Sequence, residues 1–360
     1  MSQTQKNQSK SFNIQLSDEL GTLSYDSSKK YFTVIGLGVF ALELFSLVTQ
    51  NLIVFIINNF FYQVKEYPLA VTLVNYALSF IPLYLVGVPI FIKILKALPT
   101  VSPLKQKMKF SHLFAGFCIS MFFMLGGNYI SSYLLDLIQS AKGSELTNPV
   151  QSATEGNPWW LNFVFVALLA PVLEELVFRK LLCGKLLPLG EGWAIFISAA
   201  VFGLGHGNFY QLFYAFALGA FFAFIYVKTG KIIYSMIYHI AINTLGGVVA
   251  PWLNQLLSDP KLQEYLSSAD GLTFQNMESG ELARLMTAIF ALAAYNLFMI
   301  GAAIAGVVIF IKAAKAKRFA LEGGLLPPVK KGKFSALFLN IGTALSIALF
   351  SLLLLRSITG

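Results

Sequence analysis

The sequence predicts an all-α, polytopic membrane protein, a helical bundle of about eight to nine spans. Three observations carry that prediction. Apolar runs long enough to cross a bilayer, which takes about 17–25 residues, lie near 32–61, 69–97, 110–137, 159–186, 193–207, 209–228, 232–256, 284–312 and 334–355. Only 12% of the 360 residues are charged, against about 25% in soluble domains. With the N-terminus placed in the cytoplasm, 21 of the 26 Lys and Arg fall in inside segments and 5 outside, the asymmetry that orients membrane proteins.

The elements follow in order. Residues 1–30 are polar and rich in Ser, Gln and Lys, without an apolar signal region, and are expected to form a partly disordered cytoplasmic tail. Residues 31–156 hold the first three spans, with the basic segment Lys93–Lys109 on the inside. The Ser/Asn/Gly-rich stretch 138–158 leads into Trp159 and Trp160, a pair suited to the membrane interface. Residues 157–256 form a core of four runs, in which only Gly207-Asn208 separates the second from the third. A polar extracytoplasmic loop, 257–283, carries Asp259, Glu264, Asp270, Glu278 and Glu281 and suits either a connector or a lid. Residues 284–360 supply the C-terminal spans.

The composition also excludes functions. The net charge of +9 sits in short loops between apolar runs, which points to a membrane surface and not to nucleic acid. Cys118 and Cys183 lie in or beside apolar runs, so they read as two buried thiols, neither a disulfide framework nor a Cys-based metal site. The expected setting is the cell membrane. No feature fixes an oligomeric state.

Charges inside the apolar core identify the candidate site, because an ionisable group at bilayer depth is expensive and is retained for function. Residues 174–179 read Glu-Glu-Leu-Val-Phe-Arg. Successive helical residues turn by about 100°, so the adjacent glutamates face different directions. Arg179 is four residues after Glu175 and five after Glu174; the i,i+4 relation with the acid first is the better ion-pair geometry. Glu175 and Arg179 therefore pair, and Glu174 is directed to a cavity, where a carboxylate can serve as a general base. Pro171, one turn earlier, removes a helix hydrogen bond and opens space for water.

Two further pieces follow: Phe202-Gly-Leu-Gly-His206, and His239-Ile-Ala-Ile-Asn243, which puts an imidazole and a carboxamide on one helical face. Counted from the expected cytoplasmic helix ends, Glu174, His206, His239 and Asn243 lie roughly 18, 20, 12 and 18 Å deep, so they can share one layer. Each piece has a plainer reading. An intramembrane Glu–Arg pair is often glue between helices, and a single intramembrane His or Asn often bonds a neighbouring helix. Their coincidence at matching depth favours function. His112, near the start of the third run, has no such company and reads as interfacial.

In this order the residues resemble the CPBP family, the CAAX proteases and bacteriocin-processing enzymes also called the Abi family. Its pattern is Glu-Glu-x-x-x-Arg, Phe-x-x-x-His and His-x-x-x-Asn on successive membrane helices. All three are complete here, and the resemblance covers roughly residues 157–250. It implies an intramembrane endopeptidase related to the type II CAAX prenyl endopeptidases, acting on a peptide or membrane-anchored protein. By the same resemblance Glu174 and His206 would activate water and His239 and Asn243 would stabilise the oxyanion, with Glu175, Arg179 and Phe202 in support. The family is commonly labelled metalloprotease, and Glu174, His206 and His239 offer a Glu/His/His zinc set. With no His-Glu-x-x-His, and with Glu175 engaged by Arg179, direct water activation is the preferred reading and no metal ligand is assigned. Two other function classes compete: a non-catalytic scaffold, regulator or bacteriocin self-immunity protein, and a transporter using the buried acid and histidines as a proton relay. The complete set of four polar groups weighs against the first. The absence of an inverted repeat weighs against the second.

Overall fold

A computed structural model of the protein describes residues 25–258, 263, 279–324 and 333–359. Among them the secondary structure is helical throughout, save one isolated bridge between Gly190 and Gly323. The chain is a polytopic all-α membrane protein. Nine apolar helices are named here in chain order: α1 (Tyr25–Phe60), α2 (Pro68–Leu95), α3 (Phe110–Lys142), α4 (Trp159–Leu189), α5 (Glu191–Gly205), α6 (Phe209–Thr229), α7 (Ile232–Leu256), α8 (Ser279–Lys315) and α9 (Ile341–Thr359). Eight are long and apolar enough to cross a membrane. The exception, α5, has 15 residues. At about 1.5 Å per residue that is some 22 Å, short of a hydrocarbon core of about 30 Å.

Helix ends differ from the run ends in a regular way. α1 begins at Tyr25, so the last six residues of the expected 1–30 tail are helical. α8 begins at Ser279, inside the expected 257–283 loop. A helix needs apolar residues only where it crosses lipid, and its ends continue into the polar zone. The rest of the tail, and most of that loop, lie outside the described residues.

Among the described residues four stretches are π-helical, and periodicity at 3.6 residues does not reveal them: Ile81–Gly87 in α2, Phe163–Leu169 and Leu176–Cys183 in α4, and Leu245–Val249 in α7. Pro82 lies in the first and Pro171 just after the second. A proline has no N–H for the helical ladder, and a wider turn re-routes the neighbouring bonds: Ala170 donates to Phe165 O, five residues back. Such turns are frequent at functional sites.

Chain contacts divide the protein into two compact units, each drawn from several stretches of sequence. Unit 1 takes the described residues of Met1–Lys107, Leu173–Ile232 and Phe319–Gly360. In it α1 packs against α2 and α9, and α5 against α6. Its core includes Leu42, Phe91, Leu95, Leu182 and Leu186, all fully buried. At one end Lys228 pairs with Glu191, whose carboxylate also accepts the Glu322 N–H at 2.7 Å. Lys185, expected in an inside loop, is instead buried and donates to Leu98 O.

Unit 2 takes Met108–Val172 and the described residues of Ile233–Arg318. In it α3 and α8 pack closely. A Cβ at Gly306 would fall 2.0 Å from Cys118 O, so only glycine permits that approach. Gly301, on the same helix, has nothing within 4 Å of its Cβ position. Cys118 and Cys183 are buried free thiols.

This contrast gives the first prediction. Gly306→Ala should destabilise the protein by about 1–3 kcal/mol through overpacking, and Gly301→Ala should leave it unchanged. Thermal melts of the two variants in the same detergent check it; equal melting temperatures would remove Gly306 as the close contact.

Candidate active site

In unit 1, the second half of α4 and helices α5 and α6 carry the first two motifs. Glu175 and Arg179 are both fully buried, and Arg179 Nη2 lies 3.1 Å from Glu175 Oε1. Among the described residues no hydrogen-bond acceptor meets Arg179 Nε or Nη1. Aromatic faces cover the cation instead. Its central carbon lies 4.7 Å from the ring centre of Phe202 on α5 and 5.9 Å from that of Phe222 on α6. A desolvated cation–π contact of this kind contributes about 2 kcal/mol. The pair thus draws three helices of unit 1 around one charge.

Phe202 carries this arrangement to the histidine. Its ring meets Phe178 edge-on at 5.2 Å and His206 edge-on at 5.0 Å. Ser198, also on α5, donates to Phe178 O at 2.8 Å and fixes the same helix crossing. His206 caps the C-terminal end of α5, and its Nδ1 lies 2.7 Å from Phe202 O. A carbonyl only accepts, so Nδ1 carries the proton and Nε2 is the basic nitrogen of the neutral ring. Gly207 follows with a left-handed φ of 63°, which ends the helix, and Asn208 caps the next one.

The two glutamates occupy different environments. Glu175 is sealed in the pair, whereas Glu174 is partly accessible. The Tyr84 hydroxyl on α2 and the Tyr214 hydroxyl on α6 lie within electrostatic reach of the Glu174 carboxylate. Tyr214 hydrogen-bonds Gln211. Asn208 in turn donates to Gln211 Oε1 at 3.0 Å and to His206 O at 2.7 Å. A polar chain therefore links the turn holding His206 to the neighbourhood of Glu174. Sequence reasoning missed Tyr84 and Tyr214, whose relation to Glu174 joins distant segments, and missed Asn208 and Gln211, whose local contacts matter only because they lead from His206 to Tyr214. Glu43, also missed, left a signal: a carboxylate inside the first apolar run.

The third motif lies in unit 2. His239 is buried, with 5% of its surface exposed. Asn243, one turn on, donates Nδ2–H to Val166 O at 3.0 Å. Val166 belongs to the first π-helical stretch of α4 and meets Gly247, in the π-helical stretch of α7. The carboxamide is thereby oriented through one N–H, and its second N–H is a further donor. His112 is exposed, and its carbonyl accepts from Tyr238.

A zinc centre needs at least three protein ligands. Within neither unit does a group of three His, Cys, Asp or Glu side chains gather among the described residues. Besides the paired Glu175, unit 1 contributes two groups of ligand type at its motifs, the Glu174 carboxylate and the His206 imidazole.

Residues 156–245 match the family model described as Type II CAAX prenyl endopeptidase Rce1-like. This segment is an Rce1-like family domain. All seven motif residues, Glu174 to Asn243, fall inside it. The chain is 30% identical over 131 residues to the putative membrane peptidase YdiL of Bacillus subtilis, covering 36% of this chain and 52% of that protein. It is 32% identical over 113 residues to the membrane-embedded CAAX protease MroQ of Staphylococcus aureus, covering 29% and 44%. It is 29% identical over 143 residues to CAAX prenyl protease 2 of Arabidopsis thaliana, covering 34% and 43%. The chain thus spans about half the length of the curated relatives it matches. No solved structure matches it. α1, α2, α3, α8 and α9 lie outside the Rce1-like segment.

Removing Arg179 would strand a buried carboxylate, and breaking such a pair by removing one partner costs about 3–5 kcal/mol. Arg179→Ala should therefore lower the amount of folded protein sharply. Arg179→Lys, which keeps the charge but loses the planar stack, should fall between. Size-exclusion profiles and melting temperatures check both, and a wild-type profile for Arg179→Ala would deny the pair its structural role.

Proposed function

We propose that the chain is an intramembrane endopeptidase that hydrolyses a peptide bond in a peptide or membrane-anchored protein. The observation that carries this reading is the division of labour between adjacent glutamates. Glu175 is neutralised by Arg179 and buried, whereas Glu174 is partly accessible, in the same unit as a histidine whose Nδ1 is committed to a backbone carbonyl. A scaffold requires the first arrangement only.

In the proposed reaction Glu174 and His206 activate a water between them, its one proton passing to His206 Nε2 as its oxygen bonds the scissile carbonyl carbon. His239 and Asn243 donate hydrogen bonds to the resulting oxyanion. The tetrahedral intermediate collapses, the C–N bond breaks, and the proton leaves with the amine. Within its own unit the Asn243 carboxamide gives one N–H to Val166 O, which leaves the other as the donor this role calls for. The lysine and arginine asymmetry supports a cytoplasmic N-terminus, and the plasma membrane is the setting of the proposed enzyme.

The test compares protein termini in cells carrying the wild-type chain or Glu174→Gln at matched abundance. New termini are expected with the wild type alone, and they identify the cleaved protein. Identical termini in both would overturn the reading. With the purified chain, Glu174→Gln and His206→Ala should each lower turnover by at least about 100-fold while leaving the melting temperature within a few degrees of wild type. Metal analysis of the same samples bears on the alternative chemistry: stoichiometric zinc lost in His239→Ala would contradict direct water activation.

A further inference from the structure

Glu43 lies on α1, outside the Rce1-like segment, and no step described so far uses it. It is 9% exposed within a helix that crosses the membrane. Intramembrane carboxylates are rare and mark functional positions. Its placement adds a second penalty. A methyl group at Gly205 would sit 3.4 Å from Glu43 Oε1, so the carboxylate reaches the C-terminal end of α5. That end already carries the negative pole of the helix. A negative side chain there opposes both the membrane and the dipole.

A buried carboxyl avoids this cost either by holding a proton or by meeting a positive charge. The next residue is His206, the cap of that same helix end. Its Nδ1–H is already given to Phe202 O, so proton uptake at Nε2 makes the ring cationic. Arg179, the other cation of this region, is committed to Glu175.

We propose that Glu43 is a positioning residue for His206, supplying the negative charge that stabilises the imidazolium formed when His206 accepts the water proton. The inference rests on the protease reading above. The balance is simple: the water proton passes to Nε2, the hydroxide oxygen bonds the carbonyl carbon, and the proton leaves with the amine. Glu43 acts here in its ionised form, which a cation beside it favours.

The test uses the full chain in lipid nanodiscs and a synthetic peptide spanning a junction recovered from the comparison of termini. Wild type, Glu174→Gln, Glu43→Gln, Glu43→Asp and Glu43→Leu are measured for kcat, KM and melting temperature. Glu43→Gln should lower kcat by roughly 10- to 100-fold with KM unchanged. Glu43→Asp should recover part of that loss. Glu43→Leu should be as slow as Glu43→Gln yet melt no lower than wild type, since an apolar residue suits the site. Wild-type kcat in Glu43→Leu or Glu43→Gln, or a loss confined to KM, would overturn the inference. If Glu43→Gln does not fold, the contrast between Asp and Leu decides: equal kcat in the two would overturn it. A wild type no faster than Glu174→Gln would overturn the protease reading itself.

Discussion

The candidate site in unit 1 depends on one buried ion pair. Two opposite charges placed in a membrane interior are tolerated only when they neutralise each other and their remaining faces are covered. Glu175 and Arg179 meet the first condition at 3.1 Å, and the rings of Phe202 and Phe222 meet the second. Because Phe202 is also the ring against which His206 rests, the same interaction that neutralises the arginine sets the place of the histidine. The pair also decides between the adjacent glutamates. A helix cannot aim both at one cation, so satisfying Glu175 directs Glu174 elsewhere, into a partly accessible position within reach of two phenols.

The site therefore combines a rigid apolar frame with a small number of polar groups whose orientations are fixed by backbone acceptors. Phe202 O sets the tautomer of His206, and Val166 O sets the direction of the Asn243 carboxamide within its own unit. The π-helical turns contribute to this. Leu176–Cys183 carries Arg179, and Phe163–Leu169 supplies Val166 and absorbs the irregularity at Pro171. A wide turn is less stable than a regular one and persists where the surrounding structure demands it.

Much of this was legible in the sequence, for definite reasons. Charges in apolar runs stand out against their surroundings, so Glu174, Glu175, Arg179, His206 and His239 declared themselves, and i,i+4 spacing was enough to pair Glu175 with Arg179. Gly207-Asn208 marked the break between α5 and α6, since a left-handed turn followed by a capping side chain has few other sequences. What was not legible depends on contacts between distant segments. Nothing in the runs around Tyr84 or Tyr214 indicates proximity to Glu174, and no periodicity shows that the chain interleaves two units. The π-helical turns escaped because a pattern of 3.6 residues cannot distinguish one widened turn. Glu43 was visible and passed over: a lone acid without a motif around it acquires meaning only when the helix end beside it is seen.

The account is tested most directly by removing both charges of the pair at once. The double variant Glu175→Met, Arg179→Met strands no charge and fills the same space, and such replacements of buried pairs are often neutral or stabilising. Its melting temperature and its hydrolysis of a cleaved peptide would be compared with those of each single variant and of Glu174→Gln. The account predicts that the double variant folds better than either single variant and keeps a reduced hydrolysis, because Glu174 and His206 remain while the cation that seats Phe202 against His206 is gone. A double variant that folds but is inactive, beside a Glu174→Gln that is active, would show that Glu175 performs the chemistry and would contradict the account.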